Sequence, residues 1–132
     1  MTDERTEKVT NWTSDELDTI GDAQELHLSS LRTDDTLRPP VTIWVVRVGD
    51  DLFVRSGYGR TNPWFRRAQI RHAGSIAADR ITRDVAFAEA DSSVDAAVTA
   101  AYHAKYDRFG SSNVDPMVAA DAVDATLRIL PR

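Results

Sequence analysis

One stretch of the 132-residue chain concentrates the side chains that could do chemistry. Arg55-Ser56-Gly57-Tyr58-Gly59-Arg60 leads into Asn62-Pro63-Trp64-Phe65-Arg66-Arg67. Exposed glycines let a ligand come close to the backbone. Asn62 as cap and Pro63 at the first helical position start a short helix, whose first turn presents free N–H groups and a positive dipole end to an anion. Arg55, Arg60, Arg66 and Arg67 can clamp a phosphate or carboxylate with paired N–H donors, and Trp44, Tyr58 and Trp64 can stack on a planar ring. The pattern describes a site for a small planar anion. Each part also has a structural reading, with Trp64 and Phe65 as core and the helix arginines as a solvated face.

Other chemistries lack their residues. The absence of cysteine excludes disulfides, thiolate metal sites and a cysteine nucleophile. No glycine-rich phosphate loop, G-x-S-x-G elbow, EF-hand or H-E-x-x-H motif occurs. His27, His72 and His103 fall on different expected elements. His103 and Asp107 lie one helical turn apart, but two ligands are not a site and a surface hydrogen bond explains them. No metal site is expected.

Charge is segregated along the chain. Residues 1–35 carry 3 basic and 10 acidic side chains, residues 36–83 carry 9 arginines and 3 aspartates, and residues 84–132 carry 4 basic and 8 acidic side chains. The net charge of −5 disfavours nonspecific nucleic-acid binding, while the basic middle suits a small anion. No apolar run approaches the roughly 20 residues of a membrane span, and the acidic start has no signal-like apolar stretch. A soluble, cytoplasmic protein without nucleic-acid or membrane partners is expected.

The elements that must position the arginines follow from periodicity. Residues 1–11 read as a flexible tail and 12–132 as one domain. Thr13-Ser14-Asp15-Glu16 is a capping box opening a helix that Gly21 should end, with Trp12 and Leu17 paired as a staple. Glu25 to Leu31 partly alternates, as a strand does. Val41 to Val48 is the strongest strand, with Val41, Ile43 and Val45 on one face and Trp44, Val46 and Val48 on the other. Such a strand needs cover on both faces, from a barrel interior and from a helix or partner subunit. A turn at Gly49-Asp50-Asp51 makes a hairpin with Leu52–Ser56, and Gly74–Ala78 and Ile81–Ala90 make a second. The longest helix, Val94 to Phe109, should turn Val94, Ala97, Val98 and Ala101 inward, with Tyr102, Tyr106 and Phe109 on an adjoining edge. After an irregular stretch, Ala125 to Leu130 is a terminal strand. The order predicts an α+β fold: a six-stranded antiparallel split β-barrel with one long and two short helices.

Several phrases resemble a known family. Val41 to Ser56, Trp64-Phe65-Arg66-Arg67-Ala68, Ala101 to Tyr106, Val114-Asp115-Pro116-Met117 and Thr126 to Arg132 are similar to the bacterial domain-of-unknown-function family numbered 2255. More distantly, the layout resembles deazaflavin-dependent nitroreductases and FMN-binding split-barrel proteins, through the Gly49-Asp50 turn and the Trp64 helix. That resemblance implies a dimeric split barrel whose cofactor phosphate is held by basic and hydroxyl residues. Here these would be Arg32, Arg55, Ser56 and Arg67, with Trp44, Tyr58 or Trp64 near the ring. The nitroreductase phosphate turn is answered only by Arg32, which Asp34 and Asp35 follow, and Arg67 stands where an asparagine is frequent.

Two readings of function stay open. In one, the protein is an oxidoreductase that binds FMN or a deazaflavin. In the other, a cofactor-free module binds a small anion or a protein partner through the same arginines. A homodimer is expected, with Trp44, Val46 and the Tyr102–Tyr106 edge at the interface. Arg55 should be the most buried of the cluster and should meet an anion or an acidic side chain.

Overall fold

The computed structural model describes residues 11–132, so the expected tail lies, except for Asn11, outside the described residues. The described chain forms seven strands, β1 (Leu26–Ser30), β2 (Val41–Ile43), β3 (Val46–Val48), β4 (Asp51–Arg55), β5 (Ala73–Ala78), β6 (Ile81–Glu89) and β7 (Thr126–Pro131). They pair antiparallel in the order β2-β1-β5-β6-β7-β4-β3. The two ends of this order, β2 and β3, are halves of one segment. The sheet therefore curls round and closes through a single bent strand.

This bend accounts for seven strands where six are expected. Val41–Ile43 pairs with β1, whereas Val46–Val48 pairs with β4, and the chain changes partner at Trp44-Val45. Backbone groups released there need other partners. The Tyr106 hydroxyl accepts from the Val45 N–H at 3.3 Å and donates to the Gln24 carbonyl at 2.8 Å, while the Lys105 amine donates to the Val45 carbonyl at 2.7 Å. The expected alternation survives the bend. Val45 lies in the barrel interior with Val41 and Ile43 packed on it, and Val46 lies outside with Trp44 and Val48.

Among the described residues, five α-helices surround the barrel: α1 (Ser14–Asp22), α2 (Pro63–Arg71), α3 (Asp95–Tyr106), α4 (Ser111–Val118) and α5 (Ala120–Val123). At α1 both halves of the capping box form between Thr13 and Glu16. Trp12 and Leu17 join the interior, where the Trp12 indole N–H donates to the Ile129 carbonyl at 3.0 Å. Gly21 does not end α1. It lies within the helix, and its missing Cβ admits the Arg47 side chain, whose own Cβ would stand 3.2 Å away.

α3 covers the outer face of β3 and β4 with most of the expected stripe, Val98 buried and Val94 and Ala101 packed beside it, but turned further toward the tyrosine edge. Val98, Tyr102 and Tyr106 are buried, whereas Ala97 is exposed. Burying two tyrosine rings removes more apolar area than the alanine edge could, and that decides the helix rotation. Val46, Tyr102 and Tyr106, expected at a subunit interface, are thus buried within one copy. The stretch expected to be irregular forms α4 and α5, with Pro116 inside α4 and Val114 in the outer core. No helix among the described residues is long and apolar enough to cross a membrane, and no cluster of three or more His, Cys, Asp or Glu side chains there could hold a metal.

Candidate ligand cavity and its buried arginine

Arg55 is the last residue of β4 and follows three buried residues, so the strand carries its side chain into the layer between barrel and helices. It is 1 % exposed. Its guanidinium is held by neutral oxygens. Nε donates to Thr126 Oγ1 at 3.0 Å, Nη1 to Thr99 Oγ1 at 2.8 Å and to the Met117 carbonyl at 3.2 Å, and Nη2 to the Asp95 carbonyl at 3.1 Å. The Tyr102 ring lies 5.5 Å below Cζ. The expectation of a carboxylate partner is corrected: Asp95 contributes its backbone oxygen, and no ion pair forms at Arg55 among the described residues. Burial pulls the guanidinium below its ordinary value, and the nearby Tyr102 and Asp95 oppose this. An arginine nonetheless keeps its charge in a protein.

A guanidinium has five N–H donors, and four are used here. Arg55 also lines a cavity of about 360 Å³, together with Thr42, Trp44, Tyr58, Asn62, Trp64 and Asn113 among others. That is within the size range of small-molecule sites. The lining holds one cation and no carboxylate. Trp44 stacks on Tyr106 with centroids 3.9 Å apart and planes 3° from parallel, which fixes its ring as a platform. Trp64 is held edge-on by Phe65 at 5.9 Å. Asn113 donates through Nδ2 to the Phe109 carbonyl at 2.8 Å, leaving its Oδ1 as an acceptor, and the Asn62 side chain makes no cap bond to α2.

The residues expected to bind cofactor therefore divide. Trp44, Arg55, Tyr58 and Trp64 meet at this cavity. Ser56 is buried beside it, but its hydroxyl donates to the Gly59 carbonyl at 2.6 Å and shapes the loop. Arg32 lies outside the lining, with Nη1 bonded to Thr36 Oγ1 and the Leu37 carbonyl in its own turn. Arg67 is exposed on α2 and also outside it. Arg60 pairs with Glu89 at 2.6 Å, and Arg66 is exposed, so the expected arginine cluster reduces to Arg55. Asn113 and Met117 were missed because they sit on α4, which the sequence pattern does not announce. The phrase Val114-Asp115-Pro116-Met117, already notable as a family likeness, was the available signal.

A curled antiparallel sheet closed by one bent strand, with helices over its outer face, is the split-barrel class of fold. Within that class the chain belongs to the DUF2255 family, described as uncharacterized proteins conserved in bacteria, which matches residues 16–129. Comparison with curated protein sequences finds no match. Among solved structures it is similar to HutZ, the heme storage protein from Vibrio cholerae, at 16 % identity and a TM-score of 0.62, covering 87 % of this chain and 86 % of that one. It is similar to a conserved hypothetical protein from Mycobacterium tuberculosis at 9 % identity and a TM-score of 0.54, covering 94 % and 82 %. A NimC/NimA family protein from Clostridium acetobutylicum gives 15 % identity and a TM-score of 0.54, covering 87 % and 77 %. At these identities the likeness is one of fold.

Proposed function

We propose that the cavity binds a planar, anionic small molecule of the flavin class, FMN or a deazaflavin, and that the protein is an oxidoreductase through it. The observation that carries this reading is the buried Arg55 charge, which has no carboxylate and lines a cavity walled by Trp44, Tyr58 and Trp64. An unpaired buried charge is costly, and an anionic ligand supplies the missing opposite charge. A bound flavin would supply the hydride chemistry, while the protein binds and orients it. Trp44 would meet the ring face, Arg55 its most negative edge, and the Asn62 and Asn113 amides its polar groups. That HutZ is a heme storage protein shows a planar ring system associated with the same fold.

The second reading, a cofactor-free site for a smaller anion, has its own support. Arg32 and Arg67 stand away from the cavity, so one arginine faces what a cofactor phosphate would need several groups to hold. Titration of the purified protein with FMN, the deazaflavin coenzyme and simple carboxylates, followed by flavin fluorescence and by melting temperature, separates the two. Saturable quenching with either cofactor supports the first. Stabilisation by small carboxylates alone supports the second, and no response to any of them removes both.

The homodimer is also proposed, on ground other than the covered strand. Tyr58 is 77 % exposed beside the open cavity, and a second copy over this mouth would cover it. Light scattering should give twice the chain mass, and a monomer at micromolar concentration would remove the proposal.

A further inference from the structure

The cavity of Arg55 lies where the sheet is not paired. Val41, Thr42, Ile43 and Trp44 all line it, although their side chains alternate between the barrel interior and the outer face. What these four consecutive residues share is the strand edge. β2 is an end strand with β1 on one side, and β4 runs beside β3 only as far as Phe53. Beyond that pair the strands part. Among the described residues no strand stands between Thr42 on β2 and Arg55–Gly57 at the end of β4.

The ladder decides which backbone groups face this opening. The Leu31 N–H donates to the Ala73 carbonyl at 3.1 Å, so Leu31, Ser29 and His27 turn their peptide groups toward β5. Ser30, Leu28 and Leu26 turn theirs the other way, and the Ser30 carbonyl accepts from the Arg38 N–H at 2.9 Å accordingly. Leu28 and Leu26 stand opposite Val41 and Ile43, whose peptide groups are therefore used on β1. Thr42 is out of phase with them. Its N–H and C=O both point from β2 into the opening, and they have no hydrogen-bond partner among the described residues. Its hydroxyl lies elsewhere, 3.1 Å from His27 Nδ1.

We propose, on the flavin-class reading of the cavity, that the Thr42 backbone selects the ligand by its cyclic imide edge, the N–H flanked by carbonyls on the pyrimidinedione ring that flavins and deazaflavins share. An imide presents a donor and an acceptor side by side, the pattern that a strand residue exchanges with its partner across an antiparallel pair. For one residue the ring then stands where a neighbouring strand would. An extended peptide fits less well, because it needs several outward pairs along an edge, and β2, with three residues, offers one. Trp44, next along the chain and fixed by its stack on Tyr106, suits a flat ring instead. Arg55 has a single N–H left, enough for one ring carbonyl and too little for the several oxygens of a phosphate. Affinity therefore resides in the ring, and the phosphate adds little to it.

The test is fluorescence titration with rings that carry no phosphate: lumiflavin beside FMN, and 5-deazalumiflavin beside the deazaflavin coenzyme, each ring with and without a methyl group on N3. The bare ring of whichever cofactor binds should hold within about tenfold of it, and the N3-methyl form should bind at least about tenfold more weakly, because the Thr42 carbonyl loses its donor. Thr42→Pro should weaken the unmethylated ring by a similar factor. It removes the N–H that faces the opening and no bond to β1, and Val41 before it is already extended, so the melting temperature should move little. Equal binding of the methylated and unmethylated rings overturns the proposal, whether or not the proline variant folds. A cofactor that binds while its bare ring does not overturns it as well, and leaves the flavin-class reading standing. If neither cofactor binds, both fall.

Discussion

Two corners of the molecule each hold an arginine near a strand end, and they treat its charge in opposite ways. At the β1–β2 turn, Arg71 bridges to Asp35 at 2.5 Å, and its other arm reaches the Arg32 carbonyl. Arg32 itself bonds to Thr36 and Leu37 within that turn. Charge there is matched by a carboxylate and wetted by solvent, with the Asp35 side chain 76 % exposed. At the end of β4, Arg55 is withdrawn from water and meets two hydroxyls and two carbonyls. A run of basic residues in a sequence says nothing of this difference. The corner whose charge is left unmatched is the one at which we propose that an anion binds.

Four experiments sharpen or break that contrast. The largest effect belongs to Arg55→Met, which strands one buried and three half-buried acceptors and should cost about 2–3 kcal/mol in urea unfolding. It should also weaken FMN or carboxylate binding at least tenfold. Arg55→Lys keeps the charge without the fork and should recover part of the binding. A loss of stability below about 1 kcal/mol would mean that Arg55 is no better engaged than a surface arginine.

Next comes Tyr106→Phe, which keeps the ring under Trp44 but removes the hydroxyl that serves Val45 and Gln24. A loss of about 1–2 kcal/mol is expected in thermal or urea melts, because buried backbone groups at the strand bend lose a partner. No loss would show that the bend does not rely on α3.

Gly57→Val should act on the ligand rather than on the fold. Gly57 lines the cavity, and a Cβ there would stand 3.1 Å from the flexible Met117 sulfur, so a small shift of that side chain accommodates it. Binding measured by fluorescence titration should fall about tenfold while stability changes by less than about 1 kcal/mol. Undiminished binding would place the ligand elsewhere.

The smallest effect concerns pH. Arg60 holds the Glu89 carboxyl below its ordinary value, Gln69 adds to this, and burial opposes it. Such a depressed carboxyl stabilises the fold above its unfolded value of 4.5, and that contribution is lost as pH falls through the lowered folded value. Arg60→Met should therefore cost less than about 1 kcal/mol at pH 7 and less still at pH 3. The Arg55→Met penalty should change little over the same range, since its hydrogen-bond acceptors do not titrate and the Asp95 carboxylate acts on it only through space. A penalty that falls in acid would reveal a carboxylate at Arg55 in solution.

Much of the architecture was legible in the sequence. The doubly apolar run Val41–Val48, the Gly49-Asp50 and Asp79-Arg80 turns, the Thr13–Glu16 capping box and the Pro63 start are local signals, and each element formed where its signal stood. Alternation even assigned Trp44 and Val45 to opposite faces of the strand, because side-chain direction depends only on the pleat. Arg55 as the buried member of its cluster follows from the same rule.

Tertiary structure decided the rest. The strand broke at Trp44-Val45 because its two halves pair with strands from different parts of the chain, which no local pattern encodes. α3 rotated onto Val98, Tyr102 and Tyr106 because the space over β3 and β4 accepts large rings. α4 formed from a polar, proline-containing stretch because Val114 and Met117 found an apolar surface on α3, which outweighed weak helical propensity. Arg32 and Arg67 were assigned to phosphate through the family resemblance, and their place outside the cavity lining is set by where the sheet curls. Local chemistry chose the elements, and long-range packing chose which arginine would be left with an unmatched charge.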